Sequence, residues 1–299
     1  MTFKSGFIAL IGRPNAGKST LLNTLMQQKI AIVSDKPQTT RNVIRGIRTD
    51  ENSQIIFIDT PGIHKPQHEL GRQMNKGSYT TLHDVDIIYY LVDATEKFGP
   101  GDMFVLELLK STQTPVFLIL NKIDKLKKQA MIELLSQWSE RYEFAEVIPV
   151  SALTADNSAR LIEVTKGYLS DSMQYYPNEQ VSDYPEAFLM AEVIREKVLQ
   201  LTHQEIPHSI AVLIENTEQN ENSIDIRAAI LVERDSQKGI IIGKNGSMKN
   251  EINKRASMEL RSLLQMKVHL ELFVKVETDW RNRTRQLIDL GYKQDPRDE

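Results

Sequence analysis

The 299-residue sequence contains no cysteine, which excludes disulfide bonds, disulfide-linked partners and thiolate catalysis. Every apolar run is shorter than the roughly 18 residues that a membrane-spanning helix needs. The first run, residues 7–11, is too short for the hydrophobic region of a signal peptide. The six histidines show no metal-ligand spacing, and no low-complexity tract interrupts a chain that is 40% hydrophobic. We therefore expect two folded domains and a cytoplasmic location.

A glycine-rich loop, GRPNAGKS at residues 12–19, follows that first apolar run and precedes a helical pattern. Its spacing matches the P-loop, in which backbone N–H groups at a helix N-terminus cradle phosphates. In such a loop the Lys reaches the β and γ oxygens, and the Ser hydroxyl binds Mg²⁺. The sequence therefore predicts a nucleoside triphosphate site. The residues assigned to it here are Gly12, Asn15, Ala16, Gly17, Lys18, Ser19 and Thr20.

Three further motifs each end an apolar run, namely DTPG at 59–62, NKID at 121–124 and SAL at 151–153. The carboxyl ends of strands are where doubly wound α/β sheets bind ligands. Asp59 is predicted to hold Mg²⁺ through water. Asp124 is spaced to accept hydrogen bonds from guanine N1–H and the 2-amino group, a donor pair that adenine lacks. This argues against the alternative, a P-loop kinase or ATPase. The predicted nucleotide ligands in the last two motifs are Asn121, Lys122, Asp124, Ser151, Ala152 and Leu153.

The loop at residues 34–41 stands where such enzymes sense the γ-phosphate. We predict that Thr40 supplies the second Mg²⁺ hydroxyl, with Thr39 as an alternative and a polar loop without a ligand as another. The metal residues are then Ser19, Thr40 and Asp59, and the catalytic residues are Lys18, Thr40 and Gly62. This loop and the segment 63–77 are expected to order with GTP and loosen with GDP.

Ile63 occupies the position where Ras-type enzymes place a Gln that orients the attacking water. A hydrocarbon side chain cannot do this, so slow intrinsic hydrolysis is expected unless another group, a partner or a monovalent cation such as K⁺ completes the site. Asn15 has two interpretations, a ligand of that cation or an Asn tolerated in a turn.

The second half begins after a polar, proline-containing stretch at residues 173–186. Its periodicity predicts a helix at 188–201, strands at 210–214 and 224–232 around a turn at 216–222, and a helix near 238–242. GKNG at 243–246, a helix at 248–264 and a strand at 268–276 follow. This α-β-β-α-α-β order resembles a type II KH domain, whose GxxG loop clamps a single-stranded nucleic-acid backbone. The alternative is an ordinary helix–helix turn in an α+β domain. The predicted RNA-binding residues are Gly243, Lys244, Asn245, Gly246 and Lys249.

The net charge of −3 conceals a basic C-terminal region. Residues 238–285 contain eleven basic and five acidic residues. Within them, residues 280–285 interleave Trp280 with three arginines, a pattern that suits nucleic-acid contact and equally suits a capped C-terminal helix.

QTTR at 38–41, DTPGIH at 59–64, NKID at 121–124 and VSAL at 150–153, together with the KH-like half, resemble the Era GTPases over essentially the full length. The resemblance implies a Ras-like α/β GTPase domain with a mixed, mostly parallel sheet at residues 1–172. A linker at 173–186 and a type II KH domain at 187–299 follow.

For function, the resemblance implies GTP hydrolysis with Mg²⁺ and binding of single-stranded rRNA near the 3′ end of the small-subunit rRNA. It also implies a role in assembly of the small ribosomal subunit and peripheral association with the inner membrane. The open alternative is a GTPase switch whose C-terminal domain binds a protein or a membrane and no RNA.

Overall fold

The computed structural model describes residues 3–36, 38–62, 68–82, 84–202 and 209–292. These residues form two compact units. The first contains the described residues of Met1–Val33, Thr40–Pro66 and Met74–Asp183, and the second those of Ser34–Thr39, Gln67–Gln73 and Tyr184–Glu299. The main division therefore falls after residue 183, and two short segments from the N-terminal half belong with the second unit.

The first unit contains a six-stranded sheet in the order β2-β3-β1-β4-β5-β6 within the described part of the chain. Its strands are β1 (Lys4–Gly12), β2 (Ile44–Asp50), β3 (Ser53–Asp59), β4 (Ile87–Asp93), β5 (Val116–Asn121) and β6 (Glu146–Pro149). Strand β2 pairs antiparallel with β3, and the other pairs are parallel. The predicted mixed, mostly parallel sheet is therefore confirmed.

The described helices of this unit are α1 (Lys18–Met26), α3 (Pro100–Leu109), α4 (Lys128–Ser139), α5 (Ser158–Tyr168) and, from Met74 onward, α2 (Glu69–Thr81), whose first residues belong to the second unit. They cover both faces of the sheet, as two adjacent tyrosines on β4 show. The ring of Tyr90 lies 5.8 Å from that of Trp138 on α4, whereas the hydroxyl of Tyr89 bonds Thr165 on α5. Successive strand residues point to opposite faces. Strands covered on both sides are read in sequence as continuous apolar runs, which is the pattern found here.

Residues 171–183 belong to the first unit and pack against its strands β1 and β2. The hydroxyl of Ser5 donates to the Met173 carbonyl at 2.6 Å, and the N–H of Ile47 donates to the Val181 carbonyl at 2.9 Å. The ring of Tyr175 lies 5.0 Å from that of Phe7. Much of the stretch expected as a linker is thus held by side chains and backbone of this unit.

Among the described residues after 183, the second unit contains α6 (Glu186–Leu201), β7 (Ala211–Gln219), β8 (Ser223–Val232), α7 (Asp235–Ile242), α8 (Ser247–Leu264), β9 (Lys267–Val276) and α9 (Thr284–Asp289). Strand β8 pairs antiparallel with β7 and parallel with β9. The predicted α-β-β-α-α-β order is confirmed. The expected turn at 216–222 is wrong, because β7 continues to residue 219. Residues 215–219 are all polar and exposed, so they show no apolar alternation from which the rest of the strand could be predicted, and the register also shifts between Ile214 and Asn216.

Candidate nucleotide site and nucleic-acid interface

The loop at residues 12–19 joins β1 to α1, and its conformation requires glycine at residue 17. Gly17 has a φ of 96°, and a Cβ there would lie 2.2 Å from Asn121 Nδ2. Lys18 is buried, and its Nζ donates to the carbonyls of Gly12 and Arg13, each at 3.2 Å. Burial lowers the pKa of Lys18, while the nearby Asp59 carboxylate opposes this effect. The ammonium group is therefore anchored at the loop, as the P-loop motif predicts.

Three oxygen-bearing side chains converge beside this loop. The Ser19 hydroxyl donates to Asp59 Oδ2 at 2.6 Å and lies 2.7 Å from the Thr40 hydroxyl, which is 3.4 Å from the same carboxylate oxygen. Asp59 is fully buried, and its Oδ1 has no hydrogen-bond partner among the described residues. The Thr39 hydroxyl instead donates to the Lys36 carbonyl at 2.6 Å. The structure therefore brings Thr40, and not Thr39, to the predicted metal residues.

This arrangement fits Mg²⁺. Burial raises the pKa of Asp59 to about 6, against the opposing effects of Lys18, Ser19 and Thr40. A buried carboxylate with an unpartnered oxygen is costly unless positive charge compensates it. A hard cation with oxygen ligands would do so, and hydroxyl and carboxylate oxygens are the donors that Mg²⁺ prefers.

Asn121 connects the P-loop to the loops predicted to bind the base. Its Nδ2 donates to the Ala16 carbonyl at 2.8 Å, and its Oδ1 accepts the N–H of Ala152 at 2.9 Å. The Ser151 hydroxyl donates to Asp124 Oδ1 at 2.6 Å, which orients this exposed carboxylate. The NKID and SAL motifs are thus assembled into one edge of the sheet with the P-loop.

Two supporting residues of this edge were missed by the sequence analysis. Asp93 at the end of β4 forms an ion pair with Lys122 and accepts the Thr95 hydroxyl at 2.6 Å. Burial opposes ionisation of Asp93, but these partners hold its pKa below the usual value. Thr24 donates to the Ala152 carbonyl at 2.6 Å. Asp93 ends an apolar run as Asp59 does, and this shared position was the available signal.

The remaining predicted residues surround the same loop. Gly62 lies against the P-loop, since a Cβ on it would be 3.1 Å from Pro14 Cγ. Asn15 has a φ of 64°, a turn conformation that Asn tolerates. Thr20 lies in the first turn of α1, and Leu153 is 76% exposed. Ile63 and most of its surrounding predicted loop, residues 63–67, lie outside the described residues.

The predicted GxxG loop connects α7 to α8 in the second unit. Gly243 has a φ of 72°, and a Cβ there would lie 2.7 Å from Met248 Cβ. Residues Lys244–Gly246 form a short 3₁₀ turn, in which Lys244 and Asn245 are exposed. The loop therefore presents a positive charge and backbone at the surface, as nucleic-acid binding requires.

Part of the basic charge of residues 238–285 is paired with acidic side chains. Ion pairs join Arg255 to Glu251, Lys275 to Glu215 and Arg281 to Glu233. Lys249 reaches the Leu272 carbonyl, with 3.5 Å between the two atoms.

Trp280 belongs to the core of the second unit. It is fully buried, and its Nε1 donates to the Ser209 carbonyl at 2.9 Å. Its ring is therefore not available to stack on a base. Of the two interpretations of residues 280–285, the capped C-terminal helix fits this side chain and nucleic-acid contact does not.

Comparisons with known proteins agree with both halves of this description. The family model for 50S ribosome-binding GTPases matches residues 7–122, and that for KH domains matches residues 205–281. Two solved structures each share 38% identity with the chain, cover 97% of it and 99% of their own length, and have a TM-score of 0.94. One is Era in complex with MgGDPNP and nucleotides 1506–1542 of 16S ribosomal RNA. The other is a variant of Aquifex aeolicus Era bound to GDP and AlF4⁻. No helix in the described ranges is long and apolar enough to cross a bilayer.

Proposed function

Because the chain belongs to the Era family of GTPases, we propose that it is a GTP-driven switch that binds single-stranded rRNA near the 3′ end of the small-subunit rRNA and acts in small-subunit assembly. The observation that carries this proposal is the full-length similarity to Era in complex with a 16S rRNA segment. The proposed division is a GTPase domain at residues 1–172, a linker at 173–186 and a KH domain at 187–299.

In the proposed mechanism, the hydroxyls of Ser19 and Thr40 and the carboxylate of Asp59 would hold Mg²⁺. Mg²⁺ would neutralise charge that develops on the phosphate oxygens during hydrolysis. Lys18 binds the β and γ oxygens from the loop, with Gly62 near the γ-phosphate. The Asp124 carboxylate, oriented by its bond to the Ser151 hydroxyl, selects guanine because adenine would leave it unmatched.

The water-orienting role is not filled by Ile63, a hydrocarbon side chain. We propose that intrinsic hydrolysis is slow and that K⁺, with Asn15 as a ligand, or a bound partner completes the site. Replacing K⁺ by Na⁺ at constant ionic strength tests the first option, since unchanged turnover would exclude it.

RNA binding in the proposal depends on the GxxG loop, where Gly243 and Gly246 let phosphates approach the backbone and Lys244 supplies charge. The test is the affinity for a short RNA matching the 3′ end of the small-subunit rRNA, with a non-hydrolysable GTP analogue and then with GDP, across a salt series. Tighter binding with the analogue, weakening steeply with salt, is expected because phosphate contacts release counterions.

Gly246→Asp is the matched variant for this test. Gly246 has a φ of 78°, a backbone conformation that favours glycine over other residues. A carboxylate at this position would also repel the RNA backbone. RNA affinity is expected to fall at least tenfold with GDP affinity unchanged. Equal, weak binding of RNA in both nucleotide states would instead favour a GTPase whose second domain binds a protein or a membrane. Peripheral membrane association is proposed from the family resemblance, and sedimentation with anionic vesicles tests it.

A further inference from the structure

Helix α6 of the second unit buries four charged side chains within six residues. Their exposed fractions are 5% for Glu192, 1% for Arg195, 2% for Glu196 and 7% for Lys197. Charged residues are almost never buried to this extent unless they are paired, and a buried ion pair is weak evidence for a stabilising role. This cluster therefore calls for a reason beyond holding the helix in place.

Arg195 has a different set of partners from its neighbour Lys197. Its Nε and Nη2 donate to the two carboxylate oxygens of Glu192, each at 2.6 Å. Nη2 also donates to the backbone carbonyl of Thr39, and Nη1 is buried without a hydrogen-bond partner among the described residues. Lys197 pairs only with the carboxylates of Glu196 and Glu259 in the ion pairs of the described chain.

The Thr39 carbonyl belongs to the planar peptide unit that connects Thr39 to Thr40. Residues 34–39 group with the second unit, whereas Thr40 belongs to the first, where its hydroxyl lies 2.7 Å from Ser19 Oγ. A hydrogen bond that fixes this carbonyl therefore also fixes the orientation of the peptide plane, which contains the backbone N and Cα of Thr40. Because the donor is a charged guanidinium, the bond is about twice as strong as one between neutral groups.

The other N-terminal segment that belongs to the second unit, Gln67–Gln73, is also hydrogen-bonded by a side chain of that unit. The backbone N–H of Glu69, the first residue of α2, donates to Asn282 Oδ1 at 3.2 Å, and both residues belong to the second unit. Both short segments that join this unit from the N-terminal half are thus hydrogen-bonded by its side chains.

We propose that Arg195 is a positioning residue for the Mg²⁺ site, acting through the Thr39 carbonyl to present the Thr40 hydroxyl to the ion. The inference rests on the proposed function, since it takes Thr40 as a ligand of Mg²⁺. Glu192 holds the guanidinium in the orientation that this bond requires. Because linkage is reciprocal, a change that breaks the Arg195–Thr39 bond weakens Mg²⁺ binding, and bound Mg²⁺ in turn favours that bond.

The test is a Mg²⁺ titration of the full chain with a fluorescent, non-hydrolysable GTP analogue, repeated with GDP. Arg195→Met removes the donor and keeps the length of the side chain. The Mg²⁺ concentration for half-saturation is expected to rise about tenfold with the analogue, which corresponds to the loss of one charge-assisted hydrogen bond. With GDP it is expected to change less than about twofold, because the γ-phosphate is what orders this loop.

Two further variants separate positioning from general damage. Glu192→Gln with Arg195→Met leaves no unpaired buried charge, so it is measured if the single variant does not fold, and the same tenfold shift is expected. Lys197→Met removes a buried charge from the same helix without touching Thr39, and no shift with either nucleotide is expected even if the melting temperature falls.

The inference is overturned if both Arg195 variants keep the wild-type Mg²⁺ requirement, if analogue and GDP shift equally, or if Lys197→Met produces the same shift. If the wild-type chain binds the analogue without any Mg²⁺ dependence, the proposed metal site itself fails. These outcomes are distinguishable, because only the last one concerns the unsubstituted chain.

Discussion

Replacing Asn121 by Ala removes the side chain that joins the P-loop to the base-binding loops. Asn121 donates to the Ala16 carbonyl and accepts the N–H of Ala152, and all three residues are at most 3% exposed. A hydrogen bond contributes about 1 kcal/mol net, and an orphaned buried group costs about 1–3 kcal/mol. Since two buried backbone groups lose their partner, we expect a loss of about 2–6 kcal/mol, divided between folding and nucleotide binding.

The assay is GDP affinity by fluorescence titration, combined with denaturant unfolding with and without GDP. Asn121→Ala is expected to weaken GDP binding at least tenfold and to lower the unfolding midpoint. Thr24→Val is the matched control. It removes one hydrogen bond to the Ala152 carbonyl at the same loop, so a loss of about 1 kcal/mol and a smaller change in affinity are expected.

Asn121→Asp adds a comparison at the same position. The carboxylate still accepts the N–H of Ala152, but it now faces the Ala16 carbonyl without a proton to donate. It is therefore expected to be more damaging than Ala. GDP affinity within twofold of wild type for Asn121→Ala, with an unchanged unfolding midpoint, would refute the reasoning.

Three further predictions concern the metal site and the GxxG loop. Burial raises the pKa of Asp59 from 3.8 to about 6, so the folded, metal-free protein holds the proton more tightly and loses about 2–3 kcal/mol of stability as pH rises from about 4 to 6. In EDTA, the melting temperature of Asp59→Asn relative to that of the wild type should rise as pH increases over this range. Melting temperatures of the two proteins that change in parallel with pH would contradict the prediction. Gly243→Ala places a Cβ 2.7 Å from Met248 Cβ at a φ of 72° and a ψ of 173°, a region open essentially to Gly alone, so it should destabilise by about 1–3 kcal/mol and weaken RNA binding. Unchanged unfolding and RNA affinity would count against the loop geometry. Thr40→Val should lower Mg²⁺-dependent GTP hydrolysis at least tenfold, whereas Thr39→Val should stay within about threefold, and the reverse order would assign the ligand to Thr39.

The chemistry of the nucleotide site was predictable from sequence because each motif is short and ends an apolar run. Parallel strands ending at one edge bring such motifs together in space without any need to know the packing. The P-loop and NKID motifs were assigned to one nucleotide site on this basis. The KH domain in the second half of the chain was predicted from the order of helices and alternating strands and from the position of GKNG. The end of β7 shows the limit of this approach, because residues 215–219 are all polar and exposed and offer no alternation on which a prediction could rely.

By itself, the sequence determined the two-part architecture and the residue types that meet at the site, because these depend on local periodicity and on spacing within single loops. Tertiary structure alone placed the Thr40 hydroxyl, and not the chemically identical hydroxyl of Thr39, beside Ser19 and Asp59. It also buried Trp280, paired Asp93 with Lys122, and brought Arg195 to the carbonyl of a residue 156 positions earlier. Burial and contacts at such separations result from the packing of whole elements, which no local pattern in the chain contains.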